Sequence, residues 1–574
     1  MKDKLKGFIF PTVITLPFMA VYYYFALPAL NLRAGGFWIW LILSAAVFVG
    51  CYFSWNNPGF WRELSEWLGI DAKSKKKRAG KPASASLSGY FSGAVKPESR
   101  RARIAVVVIA VVLTIIFLVI FCTSSTLFRA ADYQKMLTVT ESDFSKDIAE
   151  LPLDQIPVVD RDTAERLGNR KMGEVYELVS QFDVSSYYSQ INYKDKPYRV
   201  SPLQYADFLK WMANTDNGIP YYVTIDMATQ QTELVELDEG MKYSPSEFFG
   251  RDLKRHIRTA YPAKMFENLS FEINDDGKPY WVMSYYTYTI GLFGGKDIAG
   301  VILVDAISGE MTDYPITDVP QWIDLAYSPE LIVEQADNWG SLKNGFFNSI
   351  FVQKNVVVTT EGYNYIAVDD DVWLYTGITS VSADESNVGF ILINMRTKEA
   401  KTYMINGAEE YSAMESAEGQ IQEKSYTATF PILLNIADRP TYFISLKDNA
   451  GLVKAYAFVS VANYQIVGVA DTIDGAHVEY RRMLGLGVEE PDGSDESDNG
   501  VEYTGTVTGI ATAVVDGNSV YYIRIGDKVY TAEITVSSVL PFLKEGDSIS
   551  FFATESGKIT KIEIKEEVNT EPVE

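Results

Sequence analysis

The chain has 574 residues, a formal net charge of −24 and a mean hydropathy of −0.03. At 47% hydrophobic and 22% charged it is neither a disordered polymer nor a wholly membrane-embedded protein, and its acidity excludes nucleic acid as a general partner. Two histidines and two cysteines leave little material for metal or thiol chemistry.

Three membrane-spanning segments are predicted in the first fifth of the chain: Phe8–Leu30, Phe37–Phe53 and Ile104–Cys122. Each lies at or within the roughly 17–25 apolar residues needed to cross the hydrocarbon core. Pro11, Pro17 and Pro28 predict a kink in the first. The first two are expected to form a hairpin through 31–36. Lys2, Lys4 and Lys6 could also head a signal peptide, but the Pro and Tyr content and the prompt second span argue against cleavage. Between Trp55 and Arg103 lie ten Lys and Arg residues, against Arg33 alone in the hairpin loop. Basic loops stay in the cytoplasm. The N-terminus and the loop 54–103 are therefore expected inside, and everything after Cys122 outside.

The basic loop predicts two lipid-facing features. Asn57-Pro58 starts a short helix that puts Phe60, Trp61, Leu64, Trp67 and Leu68 on one face. Lys75, Lys76, Lys77 and Arg78 follow, a cluster suited to anionic headgroups at about 1 kcal/mol per basic residue. Trp61, Trp67 and these four basic residues are the candidate lipid contacts, with ordinary positive-inside bias as the plainer reading. Residues 1–122 carry a net charge of +10 and the remainder −34. Cys51 and Cys122 both fall in predicted spans, leaving about 450 exported residues without cysteine. Eukaryotic ectodomains of that size usually carry disulfides, so a bacterial plasma membrane is expected.

A stalk is expected over 123–160. A helix follows over Asp160–Glu174 with Asp162 or Thr163 as its N-cap, then helices over Pro202–Asn214 and Ser244–Tyr261, the last opened by Ser244 as cap with Pro245 in its first turn. The rest alternates aromatic and β-branched residues with polar ones, an α+β pattern of helices among antiparallel hairpins. One hairpin recurs at Tyr221–Leu237, Ile298–Ile316 and Val388–Ile405, with a looser copy at Ala455–Val469. Asp226, Asp305 and Asn394 suit its turn, because an Asx side chain bonds its own backbone two residues on. Asp369, Asp370 and Asp371 could hold a cation or form an exposed turn.

Gly277–Tyr314, "GKPYWVMSYY" followed by "GVILVDAISGEMTDY", resembles the PepSY module, a small bacterial α+β domain. The resemblance implies a tethered interaction domain, some members of which restrain peptidases, and supplies no catalytic residues. It covers about 70 residues clearly, within two expected regions, 161–340 and 341–487. An acidic linker spans 488–502. In it Asp495, Ser497, Asn499 and Gly500 approach positions 1, 3, 5 and 6 of a calcium loop, but position 12 is Thr506 rather than Glu. The last module, 503–566, has five predicted strands with a short helix between the third and fourth. It resembles an OB-fold barrel, with a small SH3-like barrel as the alternative and a disordered tail over 567–574.

No nucleophile elbow, P-loop or paired-cysteine motif occurs. His256 and His477 have no ligand-type neighbour at helical spacing, so no metal or cofactor is expected. The three spans contain no ionisable residue, which disfavours a transport path. These features point to a non-catalytic, membrane-anchored extracytoplasmic binding, scaffold or regulatory protein, whose partner is an envelope protein, a peptide or a wall polymer. The alternatives are an accessory subunit of a transport or secretion complex and a cell-wall hydrolase with dispersed catalytic residues.

Overall fold

The computed structural model describes residues 2–56, 98–368, 370–381, 386–486, 501–515, 518–526, 528–533, 536–537, 539–554 and 557–564. The chain forms two compact units, Met1–Leu486 and Gly487–Glu574.

Three helices open the first unit, α1 (Lys2–Ala26), α2 (Gly35–Asn56) and α3 (Glu98–Ser124). All three are long and apolar enough to cross a membrane. Pro11 and Pro17 stay inside α1. The α1–α2 hairpin is held by aromatic contacts such as Phe10 on Trp55, with ring centroids 4.4 Å apart, and by Trp40 Nε1 donating to the Met19 carbonyl at 3.1 Å. Helix α4 (Thr126–Gln134) follows α3 almost directly.

The predicted stalk is instead woven into the body. Strand β1 (Val139–Glu141) joins a sheet as a parallel edge, and Ile156, Val158 and Val159 are buried in the main core. Their apolar side chains favour burial over a solvated spacer.

Four sheets then repeat one plan. The first has helix α5 (Arg161–Gly173), an edge split into β2 (Phe182–Val184) and β3 (Ser189–Tyr193), then β4 (Lys196–Tyr205), helix α6 (Phe208–Asn214), β5 (Ile219–Asp226) and β6 (Thr232–Met241). The second has α7 (Leu253–Ala260), β7 (Met265–Ile273), β8 (Pro279–Ile290), β9 (Gly294–Asp305) and β10 (Met311–Pro315). The third has α8 (Pro329–Ser341), a split edge of β11 (Val357–Thr359) and β12 (Asn364–Val368), then β13 (Asp371–Ser380), β14 (Ser386–Asn394) and β15 (Ala400–Tyr403), with β16 (Gly407–Ala408) beside β14. The fourth has α9 (Glu410–Gln420), a split edge of β17 (Thr427–Ala428) and β18 (Ile432–Ile436), then β19 (Arg439–Lys447), β20 (Val453–Ser460) and β21 (Val467–Ala470), closed by α10 (Ile473–Met483). Each is an antiparallel meander, the third carrying the parallel β1 at its edge.

The turns follow from sequence. Lys194 and Asp195, and again Ala437 and Asp438, take positive φ in two-residue hairpin loops. Asp226, Asp305 and Asn394 each accept from the amides two and three residues on, at 2.8–2.9 Å. The fifth residue of each turn, Gln230, Gly309 or Lys398, is left-handed. In the second and third sheets, period-two alternation sends the two faces of a central strand to two different cores. Trp281 and Met283 enter the core shared by all four sheets, while Val282 enters a second core with α8; Trp373 and Tyr375 divide from Val372 and Leu374 in the same way.

Two predicted helices are shorter than expected. Leu203 and Tyr205 are buried and β4 runs through Pro202, so α6 starts only after its cap Asp207. Asp252, not Ser244, caps α7, because Glu247 is drawn inward by Tyr205 Oη at 3.0 Å and Trp211 Nε1 at 2.6 Å. In α5 the cap is Asp160, whose carboxylate accepts from the Thr163 amide.

The second unit has five strands, β22 (Val501–Val515), β23 (Asn518–Ile525), β24 (Lys528–Glu533), β25 (Ser548–Ala553) and β26 (Ile559–Ile564). Their order is β24-β23-β22-β25-β26, and a parallel bridge from Thr531 to Lys558 joins the two outer ends around a core of Ile523, Leu540, Phe551 and Ile559.

Candidate functional site

The four edge strands are interrupted at corresponding places. Three are split, and β7 carries a bulge between Phe266 and Leu269. These four interruptions meet at one cleft of about 580 Å3, lined by Tyr187–Gln190, Asn268–Ser270, Tyr363–Tyr365 and Phe430, with Asp160 and Arg161 from the start of α5 and Tyr327 and Glu330 from the start of α8. A broken ladder leaves backbone and side chains free to face a cavity, and repeating the break four times gathers such groups in one place.

The cleft is polar and aromatic. Arg199 in β4 is buried at its floor, donating to the Val159 carbonyl at 3.2 Å and to Gln190 Oε1 at 3.3 Å. Burial lowers its guanidinium to about 10, against the pull of Asp160, so it stays cationic at neutral pH. Burial works to raise the Asp160 carboxyl, but its pairing with Lys447 and its cap bond from Thr163 outweigh that and hold it low. The walls are the rings of Tyr187, Tyr188, Tyr327, Tyr363 and Tyr365; burial raises every one of these phenols, so each is a neutral donor. The arrangement offers flat aromatic faces, a fixed cation and carboxylates, which are means to bind a chain of mixed polarity.

Below the cleft lie two fully buried carboxyls. Ser270 Oγ donates to Glu272 Oε1 at 2.6 Å, the Asp324 amide donates to Glu272 Oε2 at 2.8 Å, and the Asn192 amide donates to Asp324 Oδ2 at 2.7 Å. Burial raises Glu272 to about 7 and holds Asp324 well above the ordinary carboxyl range, reinforced by the charge of Glu272. The pair holds protons where exposed carboxyls have lost them. Both are closed off from solvent, so they fasten the segment before α8 to β3 and β7 rather than meet a substrate.

Trp61, Trp67, Lys75, Lys76, Lys77 and Arg78 lie outside the described residues, as do Asp369 and the linker positions Asp495, Ser497, Asn499 and Gly500. Asp371 is not in an exposed turn: it is buried and pairs through both oxygens with Arg396, at 2.7 Å each. His256 is half-buried, its ring tilted against Tyr243 with centroids 4.4 Å apart and its Nε2 2.8 Å from the Gly309 carbonyl. Burial lowers His477, which packs on Phe458. Among the described residues no group of three or more His, Cys, Asp or Glu side chains is placed to hold a metal. The cleft residues were not singled out by sequence. Their one signal was the interruption before three of the four strand-rich copies, at Ser185-Ser186, Gly362 and Thr429-Phe430.

Neither a family model nor a curated protein matches the chain. Solved structures similar over long stretches include an apocarotenoid oxygenase from Synechocystis (10% identity, TM-score 0.14) and an ACO/RPE65 chimera (9% identity, TM-score 0.15), each covering 70% of this chain. This chain spans 66% of the length of those oxygenases. A levansucrase from B. megaterium aligns over 75% of this chain and 96% of its own, at 11% identity and a TM-score of 0.16. At these TM-scores the likeness assigns neither fold nor activity.

Proposed function

We propose that the protein is a non-catalytic binding or regulatory component of a bacterial cell envelope, anchored by α1–α3, with its sheet-rich body outside the plasma membrane. The observation that carries this reading is where the helices end. The Leu30 amide, after α1, donates to the Pro262 carbonyl at 2.7 Å. Arg33, before α2, donates to the Tyr288 carbonyl at 3.1 Å. Ser124 Oγ, the end of α3, accepts from the amides of Leu292 and Phe293 at 3.1 and 3.3 Å. Three ends that alternate in direction along the chain all abut the second sheet and α7, so the body sits at one membrane face and the loop 57–97 joins the opposite ends. The ten basic residues between Trp55 and Arg103 make that opposite face the cytoplasmic one.

The body is read as PepSY-like α-plus-meander units, a reading supported by the recurrence of helix, edge strand and Asx turn. The last unit is read as an OB-type barrel, supported by a central β22 flanked by β23 and β25 and by the bridge between β24 and β26. Its acidic surroundings argue for a protein rather than a nucleic-acid partner. The cleft is the ligand site, for an envelope peptide or polymer segment, which accords with restraint of a peptidase.

A photoreactive phenylalanine placed at Tyr363 in the full chain, irradiated in native membranes, tests this. One discrete adduct, absent when Arg199 is replaced by Met, is the expected result. A ladder of unspecific adducts, or one that ignores Arg199, contradicts the cleft as a binding site.

A further inference from the structure

The body carries large apolar side chains on its surface beside the points where the helices enter it. On one side α6 and the turn before α7 expose Phe208, Leu209, Met212 and Phe249, Leu209 being 67% accessible. On the other side, the helical turn that follows α8 exposes Phe347, Ile350, Phe351 and Val352, with Phe351 at 76%. Soluble surfaces rarely leave such groups uncovered together.

Both patches connect to the helices through named contacts. The Phe249 carbonyl accepts from Arg255 Nη1 at 2.6 Å, and the same guanidinium lies 4.2 Å from the ring centroid of Tyr24 in α1. On the far side α8, which leads into the Phe347 turn, packs along α4, the direct continuation of α3. The β8–β9 tip also exposes Leu292 and Phe293, held against Ser124 at the end of α3.

Charge gives an independent argument. Residues 338–360 contain Lys343 and Lys354 and no acidic residue, in a chain of net charge −24. An apolar turn with a lysine at either side, within an otherwise acidic body, matches an anionic lipid surface.

We propose that these two patches dip into the body-side leaflet of the bilayer, so that the body lies on the membrane instead of standing off it. The proposal rests on the membrane-anchored reading above. The occupant is lipid: aromatic and aliphatic side chains enter the headgroup–acyl boundary, while Lys343 and Lys354 stay with the headgroups.

The test uses the full chain with Cys51→Ser and Cys122→Ser, reconstituted in nanodiscs of phosphatidylcholine and phosphatidylglycerol. An environment-sensitive fluorophore is attached in turn at Leu209→Cys, Phe351→Cys, Leu43→Cys in α2 and Ala450→Cys in the β19–β20 turn. Expected are blue-shifted emission and loss of most intensity on substituting brominated lipid at positions 43, 209 and 351, with neither effect at 450. Water-like emission at 209 and 351 beside a quenched 43 overturns the proposal and leaves the anchored reading standing. A blue shift at 209 and 351 without bromine quenching also overturns it, because a second copy then covers the patches. An unquenched label at 43 overturns the anchored reading itself.

Discussion

Arg258 shows how one side chain ties the helices to the body. It is buried; its Nε donates to the Leu27 carbonyl at 3.1 Å, and its Nη1 reaches the carbonyls of Tyr261, Pro262 and Lys264 while the guanidinium covers the Phe266 ring. Arg258→Ala strands these carbonyls, and a loss of about 2–4 kcal/mol is expected, read as a lower unfolding midpoint in nanodiscs. Arg258→Lys should recover little of it, since an ammonium cannot span a fork of acceptors. Glu272 gives a pH signature. Its folded pKa of about 7 lies above the ordinary 4.5. The folded state therefore binds more protons than the unfolded one between these values, and stability falls as pH rises through that window, by on the order of 3 kcal/mol. Glu272→Gln should make the fall from pH 4.5 to 7 distinctly shallower in chemical denaturation; an unchanged slope contradicts the assignment. Asp305 has the opposite sign. Burial works to raise it, but Lys278 at 2.5 Å and the turn amides hold it low. Its contribution is present above its unfolded pKa and is lost as pH falls through the folded value, and Asp305→Ala is expected to cost about 1–2 kcal/mol at neutral pH.

Elements were legible where a local rule decided them. Asp226, Asp305 and Asn394 were readable as turns because the bond that forms the turn comes from the residue itself. The alternation of Trp281, Val282 and Met283 marked a strand, though not that both its faces would be buried in different cores. The helix limits failed where a distant partner intervened: Ser244 reads as a cap, yet Tyr205 and Trp211 hold Glu247 three residues on, and Asp252 caps instead. The stalk was misjudged for a similar reason. Residues 148–159 look mixed in isolation, but Ile156 and Val159 fill gaps between sheets that only the fold creates. The cleft was illegible because its residues come from four breaks far apart in sequence. Close packing between elements is exposed at Gly468 in β21. A methyl group there would collide with the backbone of Ala476 and Tyr480, so α10 lies directly on the sheet. Gly468→Ala should push that helix away and cost about 1–3 kcal/mol, with faster hydrogen exchange confined to α10 and β21.

At the scale of the whole molecule, the arrangement follows from one chain satisfying two solvents. The first 122 residues carry the apolar segments and a net positive charge, and the rest carries the acidic, β-rich body. Helix ends and body meet at the second sheet through Leu30, Arg33, Ser124 and Arg258, and in the proposed reading these contacts hold the body at one face of the bilayer. The claim on which the rest depends is that this face is the outer one. It is tested by an impermeant maleimide applied to intact cells, in a chain with Cys51→Ser and Cys122→Ser and a single new cysteine at Ala450 or at Ser84 in the basic loop. The account predicts that Ala450→Cys is labelled before lysis and Ser84→Cys only after it. Labelling of Ser84→Cys in intact cells, with Ala450→Cys protected until lysis, would contradict it.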